Sequence, residues 1–198
     1  MFRTLARTTV LATVLATAVA VAGSLAAATP ALADTAAAGS VVVTESTASL
    51  QDLATAGIVA VPLSAASVTC DAAGSSATFA VTDGTGDLAN FYGTIALGGG
   101  VRVADARTRK SVSFHQLAFS IDQYALVGVP DGSTTPVALL DVAGGATTSP
   151  SGVLPETLTA GFAFDAAGAA YLNSALKTGK FAAGQAFGSV SISFTPAS

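Results

Sequence analysis

The chain has 198 residues, of which 51% are hydrophobic and 10% are charged, and its formal net charge is −4. Nucleic acids and anionic membranes are bound through Lys and Arg, so we expect an acidic chain with eight basic residues to bind neither. Cys70 is the only cysteine, which excludes an internal disulfide. Because no basic residue lies beside it to lower its pKa, we predict a buried or inert thiol.

The N-terminal segment has the pattern of an export signal. Arg3 and Arg7 precede an apolar run over Thr9–Ala28, and small residues follow before Asp34. A basic start, an apolar middle and a small-residue end are typical of a secretory signal peptide. We therefore predict that residues 1–33 are a cleaved signal and that the protein is secreted and extracellular.

Removing the signal leaves 165 residues with 6 basic and 12 acidic side chains, a net charge of −6. This length suits one domain. We expect a flexible tail over residues 34–40 and a single β-rich domain over residues 41–198. No later segment has the roughly 20 apolar residues that span a bilayer.

The Ala- and Thr-rich composition is that of an actinobacterial secreted protein, either released or loosely associated with the cell wall. The sequence does not indicate a binding partner. A protein in this location could contact the cell wall or a surface protein.

Short β-branched and alternating runs predict strands through most of the domain. In chain order they cover residues 41–44, 58–63, 76–82, 90–97, 101–104, 110–122, 123–129, 137–142, 158–164 and 187–194. The strand over 110–122 alternates Val112, Phe114 and Gln116 with His115 and Leu117 on the opposite face. Residues 143–155 are expected to form a mobile loop.

Capping residues predict two helices. Ser46 or Thr47 begins the first, which runs through Ala54 and stops at Gly57. Asp165 begins the second, over residues 166–176, and Gly179 ends it. Many short strands separated by turns predict a mainly β fold, either an antiparallel β-sandwich or an open barrel, with two short α-helices.

Catalytic and metal-binding patterns are not found. His115 is the only histidine and lies in mid-strand without a nucleophile-elbow motif, so no Ser–His–Asp site is expected. One His and one Cys cannot supply the usual zinc ligands. Asp83 to Asp87 is the nearest approach to a calcium loop, and a plain turn is the favoured interpretation. We therefore predict a protein that is not an enzyme and has no metal site.

Two groups of residues could contact a ligand. Four basic residues lie between Arg102 and Lys110, which favours a solvated hairpin, with a small anion-facing patch as the alternative. Tyr92, Tyr124 and Tyr171 are the amphipathic aromatic residues of a chain without Trp, and they could bind a ligand or be half-buried structural residues.

Several segments between residues 90 and 194 resemble the HtaA family, the secreted or surface haem-transport-associated domains of actinobacteria. The resemblance is carried by Gly93–Ile95, Gly99–Val101, Val112–Asp122, Leu158–Ala160, Asp165–Ala170 and Phe181–Gly188. It implies the family's fold and secreted setting. In the family, one segment supplies a haem-ligating tyrosine, and this chain has no match to that segment. The family's histidine closely follows the Gly-Gly hairpin, but residues 101–105 of this chain contain no histidine.

Two hypotheses for function follow. The first is a secreted, non-enzymatic binding or structural module of unknown ligand that has no cofactor. The alternative, implied by the resemblance, is a protein that binds haem or another small ligand in an HtaA-like uptake system. For the alternative, Tyr92 and His115 are the candidate ligand-binding residues.

Overall fold

The structure is a computed structural model that describes residues 35–64, 66–71 and 74–197. The predicted signal peptide lies outside the described residues. Strands and helices follow in the order β1 (Ala38–Ser46), α1 (Thr47–Ala56), β2 (Ile58–Pro62), β3 (Ala66–Asp71), β4 (Gly74–Gly84), β5 (Thr94–Leu97), β6 (Val101–Asp105), β7 (Lys110–Ser120), β8 (Ala125–Pro130), β9 (Val137–Thr148), β10 (Glu156–Phe164), α2 (Ala166–Leu176) and β11 (Ala186–Thr195).

Eight strands close into an antiparallel barrel. The ring runs β7-β5-β4-β1-β11-β10-β9-β8, and β8 pairs with β7 to complete it. Outside the ring, β6 pairs with β7, β2 pairs with β6, and β3 pairs with β4. The mainly β, antiparallel class with two helices is therefore confirmed. Of the two predicted architectures the strands adopt the barrel, and its ring is closed.

The barrel wall is split between β4 and β7. The short strand β5 joins only their C-terminal parts, through pairs such as Val81 with Leu97 and Thr94 with Ser120. The N-terminal part of β4 pairs with β3, and the N-terminal part of β7 pairs with β6. Because β2 and β3 do not pair with each other, the wall divides at this end of the barrel.

A β-bulge in β7 directs its apolar side chains inward. Gln116 has a φ of 48°, and the pairing with β8 shifts register after His115. Phe114 is buried before the bulge, and Leu117 is buried after it. A single extra residue reverses the alternation of a strand. The alternation predicted for this strand is therefore correct up to His115 and wrong beyond it.

The first helix begins and ends where predicted. Ser46 is the N-cap, and its hydroxyl accepts a hydrogen bond from the backbone N–H of Ser49. Gly57 is the C-cap with a φ of 80°, a left-handed conformation that glycine adopts without a steric cost.

The second helix packs closely against β9. Asp165 caps it by accepting hydrogen bonds from the backbone of Ala167 and Gly168. A Cβ on Gly168 would lie 2.5 Å from the carbonyl oxygen of Ala138, so only glycine permits this approach. The helix ends at Lys177, which has a φ of 55°, rather than at the predicted Gly179.

Other elements differ from the sequence predictions. Residues 143–148 extend β9 and were predicted as a loop, and residues 90–93 form a turn before β5. Ala38, within the predicted tail, pairs with Thr195 in the sheet. The strand β3 was not predicted, and it carries Cys70, which is exposed rather than buried. No helix within the described ranges is long and apolar enough to cross a bilayer.

Two carboxyl groups meet at the start of α2. Asp141 on β9 lies beside Asp165, the N-cap residue. Partial burial, a hydrogen bond with Asp165 and the charge of Asp165 together raise the pKa of Asp141 from 3.8 to about 6. Between pH 3.8 and about 6, Asp141 is protonated in the folded protein and ionised in the unfolded chain.

We predict that this pair makes the protein less stable as the pH rises. The stability contributed by Asp141 is fully present below pH 3.8 and is lost as the pH rises through about 6. Urea denaturation between pH 4 and pH 7 should show this loss, and Asp141→Asn should flatten the profile. The same slope in the wild type and Asp141→Asn would contradict the assignment.

Candidate functional site

An apolar cleft enters the barrel beside the split in its wall. It has a volume of about 110 Å³, is open to solvent, and is lined by 19 residues of which two, Glu45 and Ser75, are polar. The lining residues are Val43, Glu45, Leu53, Ala60, Pro62, Ser75, Ala77, Phe79, Val101, Val103, Phe114, Leu117, Leu126, Leu139, Leu140, Phe164, Leu172, Phe181 and Phe187. Thus β2 and β6 line one side of the split, β1 and β4 line the other, and the helices contribute Leu53 and Leu172.

Contacts among aromatic rings support the cleft wall. Phe164 at the end of β10 meets Phe181 edge-on at 5.2 Å and Phe187 at 5.5 Å between ring centroids. Phe114 on β7 meets Tyr171 of α2 at 5.7 Å, also edge-on. Edge-to-face contacts at these distances are favourable and fix the ring orientations. The cleft is therefore bounded by side chains that are held in place before any ligand arrives.

Glu45 introduces a carboxyl group into this apolar lining. It follows Val41 and Val43 along the inward face of β1 and is only 8% exposed. The hydroxyl of Ser49, in the first turn of α1, donates a hydrogen bond to Glu45 Oε1 at 3.3 Å. Burial raises the pKa of Glu45, and the hydrogen bond from Ser49 partly opposes that rise.

Sequence reasoning missed Glu45, although a signal was present. Two-residue periodicity from Val41 places Glu45 on the buried face of β1. A carboxyl group on a core-facing position is unusual enough to mark a candidate site.

His115 lies outside the cleft. Its side chain is 52% exposed, and its Nε2 lies 2.8 Å from an Asp131 carboxylate oxygen; that aspartate side chain is 59% exposed. Exposed ion pairs of this kind contribute little stability. The only histidine therefore forms a surface contact with a neighbouring loop.

Tyr92 lies in the turn before β5, also outside the cleft, and is 54% exposed. Beside it in sequence, Phe91 contacts Tyr124, with ring centroids 5.5 Å apart. The third candidate tyrosine, Tyr171, is half-buried against Phe114.

The structure does not bring Tyr92 and His115 together. Tyr92 lies close to the C-terminal end of β7, because the next residues pair Thr94 with Ser120. His115 precedes Ser120 by five residues, which is about 16 Å at the usual strand rise. The two residues therefore cannot form one ligand-binding site in this conformation.

The basic residues form the predicted solvated hairpin between β6 and β7. Arg102 donates a hydrogen bond to the Ser111 hydroxyl at 2.8 Å. Arg107 donates to the carbonyl oxygen of Thr55 in the last turn of α1, where a cation is favourable. Arg107 and Lys180 also line a separate polar hollow beside that helix.

The cleft residues do not fit the requirements of haem. Haem iron is normally ligated by His, Cys, Met or Tyr, and none of these is among the lining residues. The volume of about 110 Å³ is also well below the roughly 300 Å³ at which pockets for larger ligands begin. Haem binding would therefore need a different site or a rearranged barrel.

Comparison with known proteins identifies the fold. No family model matches the chain, and no curated protein matches it significantly. The C-terminal domain of HtaA from Corynebacterium glutamicum is similar in structure, with a TM-score of 0.53 and 14% identity over 80% of this chain and 99% of that domain. The haem-binding protein HtaB from the same organism is similar with a TM-score of 0.45 and 12% identity, over 81% of this chain and 93% of that chain. The chain therefore has the fold of the HtaA C-terminal domain, which is the fold that the sequence resemblance implies.

Proposed function

We propose that this chain is an extracellular, non-enzymatic protein that binds an apolar small molecule in the barrel cleft. The observation that carries the proposal is the cleft itself, in which 17 of the 19 lining residues are apolar. Removing apolar surface from water on both partners supplies the driving force. Eight-stranded barrels are of a size that can hold one small ligand.

The cleft volume limits the part of the ligand that can enter. An engineered cavity of about 150 Å³ in another protein accepts benzene. A cleft of about 110 Å³ therefore suits a short alkyl chain or a single small ring. Because the cleft is open, the remainder of a larger ligand can extend into solvent.

The chemistry of the lining supports binding rather than catalysis. Glu45 and Ser75 are its only polar side chains, and no imidazole or thiol accompanies them. His115 forms its contact with Asp131 on the outer surface. The predicted signal peptide over residues 1–33 supports action outside the cell, either in the medium or loosely held at the wall.

We predict that octan-1-ol, a neutral ligand with a short alkyl chain, binds the wild-type protein in isothermal titration calorimetry. Ala77 lines the cleft on β4, so Ala77→Phe should fill it and weaken binding by at least about tenfold, or about 1.4 kcal/mol. Ala80 is exposed on the same strand and does not line the cleft, so Ala80→Phe is the matched control and should bind as the wild type does. Equal binding by all three proteins, or by none, would contradict the proposal.

Haem is the alternative ligand, implied by the resemblance of residues 90–194 to the HtaA family. Because the cleft has no axial ligand, we predict that hemin added to the mature protein shows no shift of its Soret band. His115→Ala and Tyr92→Phe should behave in the same way. A Soret shift in the wild type would contradict this prediction, and its loss in either variant would identify the iron ligand.

A further inference from the structure

We infer that the ligand of this cleft is an apolar amine, whose ammonium group is bound by the carboxylate of Glu45. The inference rests on the proposed function, because it specifies the ligand class of the same cleft. It follows from the single ionisable side chain among the lining residues, which is 8% exposed and surrounded by apolar groups.

An ionised carboxylate in such surroundings lacks a counter-charge. No Lys, Arg or His lines the cleft, and the hydrogen bond from Ser49 is a neutral contact. Ionising a carboxyl group away from water is costly unless a cation accompanies it. A ligand ammonium group would provide that cation, while the apolar body of the ligand would occupy the space beside Leu53 and Phe187.

The charged groups around Glu45 do not oppose a cationic ligand. The elements next to Glu45 carry four exposed ionisable residues, none of them basic. They are Asp52 on α1, Cys70 and Asp71 on β3, and Asp83 at the far end of β4. The basic residues Lys180 and Arg107 line the separate hollow beside α1 together with Asp52. Leu53 lines both spaces, and no cation lines the cleft itself.

Amine binding should also move a proton. When Glu45 is protonated, an incoming alkylammonium ion forms the ion pair as the carboxyl group releases its proton to the buffer. A neutral alcohol forms no ion pair with Glu45 in either protonation state, and a carboxylate ligand is repelled whenever Glu45 is ionised. For ligands with the same alkyl chain, the predicted order of affinity is therefore amine, then alcohol, then carboxylate.

We predict that octylamine binds the wild-type protein at pH 7.5 at least about tenfold more tightly than octan-1-ol, and that octanoate binds most weakly. Glu45→Gln keeps the size of the side chain but cannot ionise, so it should bind octylamine no more tightly than octan-1-ol. Asp52→Asn removes an exposed carboxylate of the neighbouring helix and should keep the preference for the amine. No preference in the wild type, or an undiminished preference in Glu45→Gln, would overturn the inference.

Proton release provides a readout that a structural role for Glu45 would not change. Calorimetry in two buffers with different ionisation enthalpies, repeated over a series of pH values, should show proton release on octylamine binding in the wild type wherever the free carboxyl group is protonated, and none in Glu45→Gln at any pH. Ser49→Ala removes the hydrogen bond that lowers the pKa of Glu45, so proton release on amine binding should extend to higher pH than in the wild type. Ser49→Ala therefore tests the inference even if Glu45→Gln fails to fold, and an unchanged pH dependence of proton release in Ser49→Ala would contradict it.

The two proposals fail in different ways. If none of the three eight-carbon ligands binds, the proposed function is wrong. If octan-1-ol binds in the cleft and octylamine binds no more tightly, only the assignment of the ligand class is wrong.

Discussion

The pairing of β7 with β8 is the interaction on which the rest of the structure depends. It closes the ring of eight strands, and without it β8 would be the free edge of an open sheet. The bulge at Gln116 lies within this pairing and turns both Phe114 and Leu117 inward. One irregular residue therefore gives β7 a continuous apolar face toward the barrel interior.

Closure and the split in the wall together produce the cleft. The strand β5 is too short to join the full lengths of β4 and β7, so β2, β3 and β6 flank an opening. Edge-to-face contacts around Phe164 hold aromatic side chains at the cleft wall. The two-residue period of β1 then places Glu45 beside them, which gives an apolar site one group capable of charge recognition.

Local features of the fold could be predicted from the sequence, and long-range features could not. Caps at Ser46, Gly57 and Asp165 identified three of the four helix ends, because a capping interaction involves neighbouring residues. The bulge at Gln116 and the extension of β9 depend on the register that each strand adopts with the strand that follows it, which capping residues do not indicate. The cleft depends on barrel closure, so the sequence analysis selected exposed residues such as Tyr92 rather than the buried Glu45.

The most direct test of the account is a xenon titration followed by methyl NMR, because xenon enters apolar cavities without requiring a specific functional group. The account predicts saturable shifts of the methyl resonances of Val43, Leu53 and Leu117, which line the cleft, and no comparable shifts for the exposed Val59 and Val68. An absence of saturable shifts at the cleft methyl groups, or equal shifts at the exposed valines, would contradict the claim that the barrel contains a binding site for an apolar ligand.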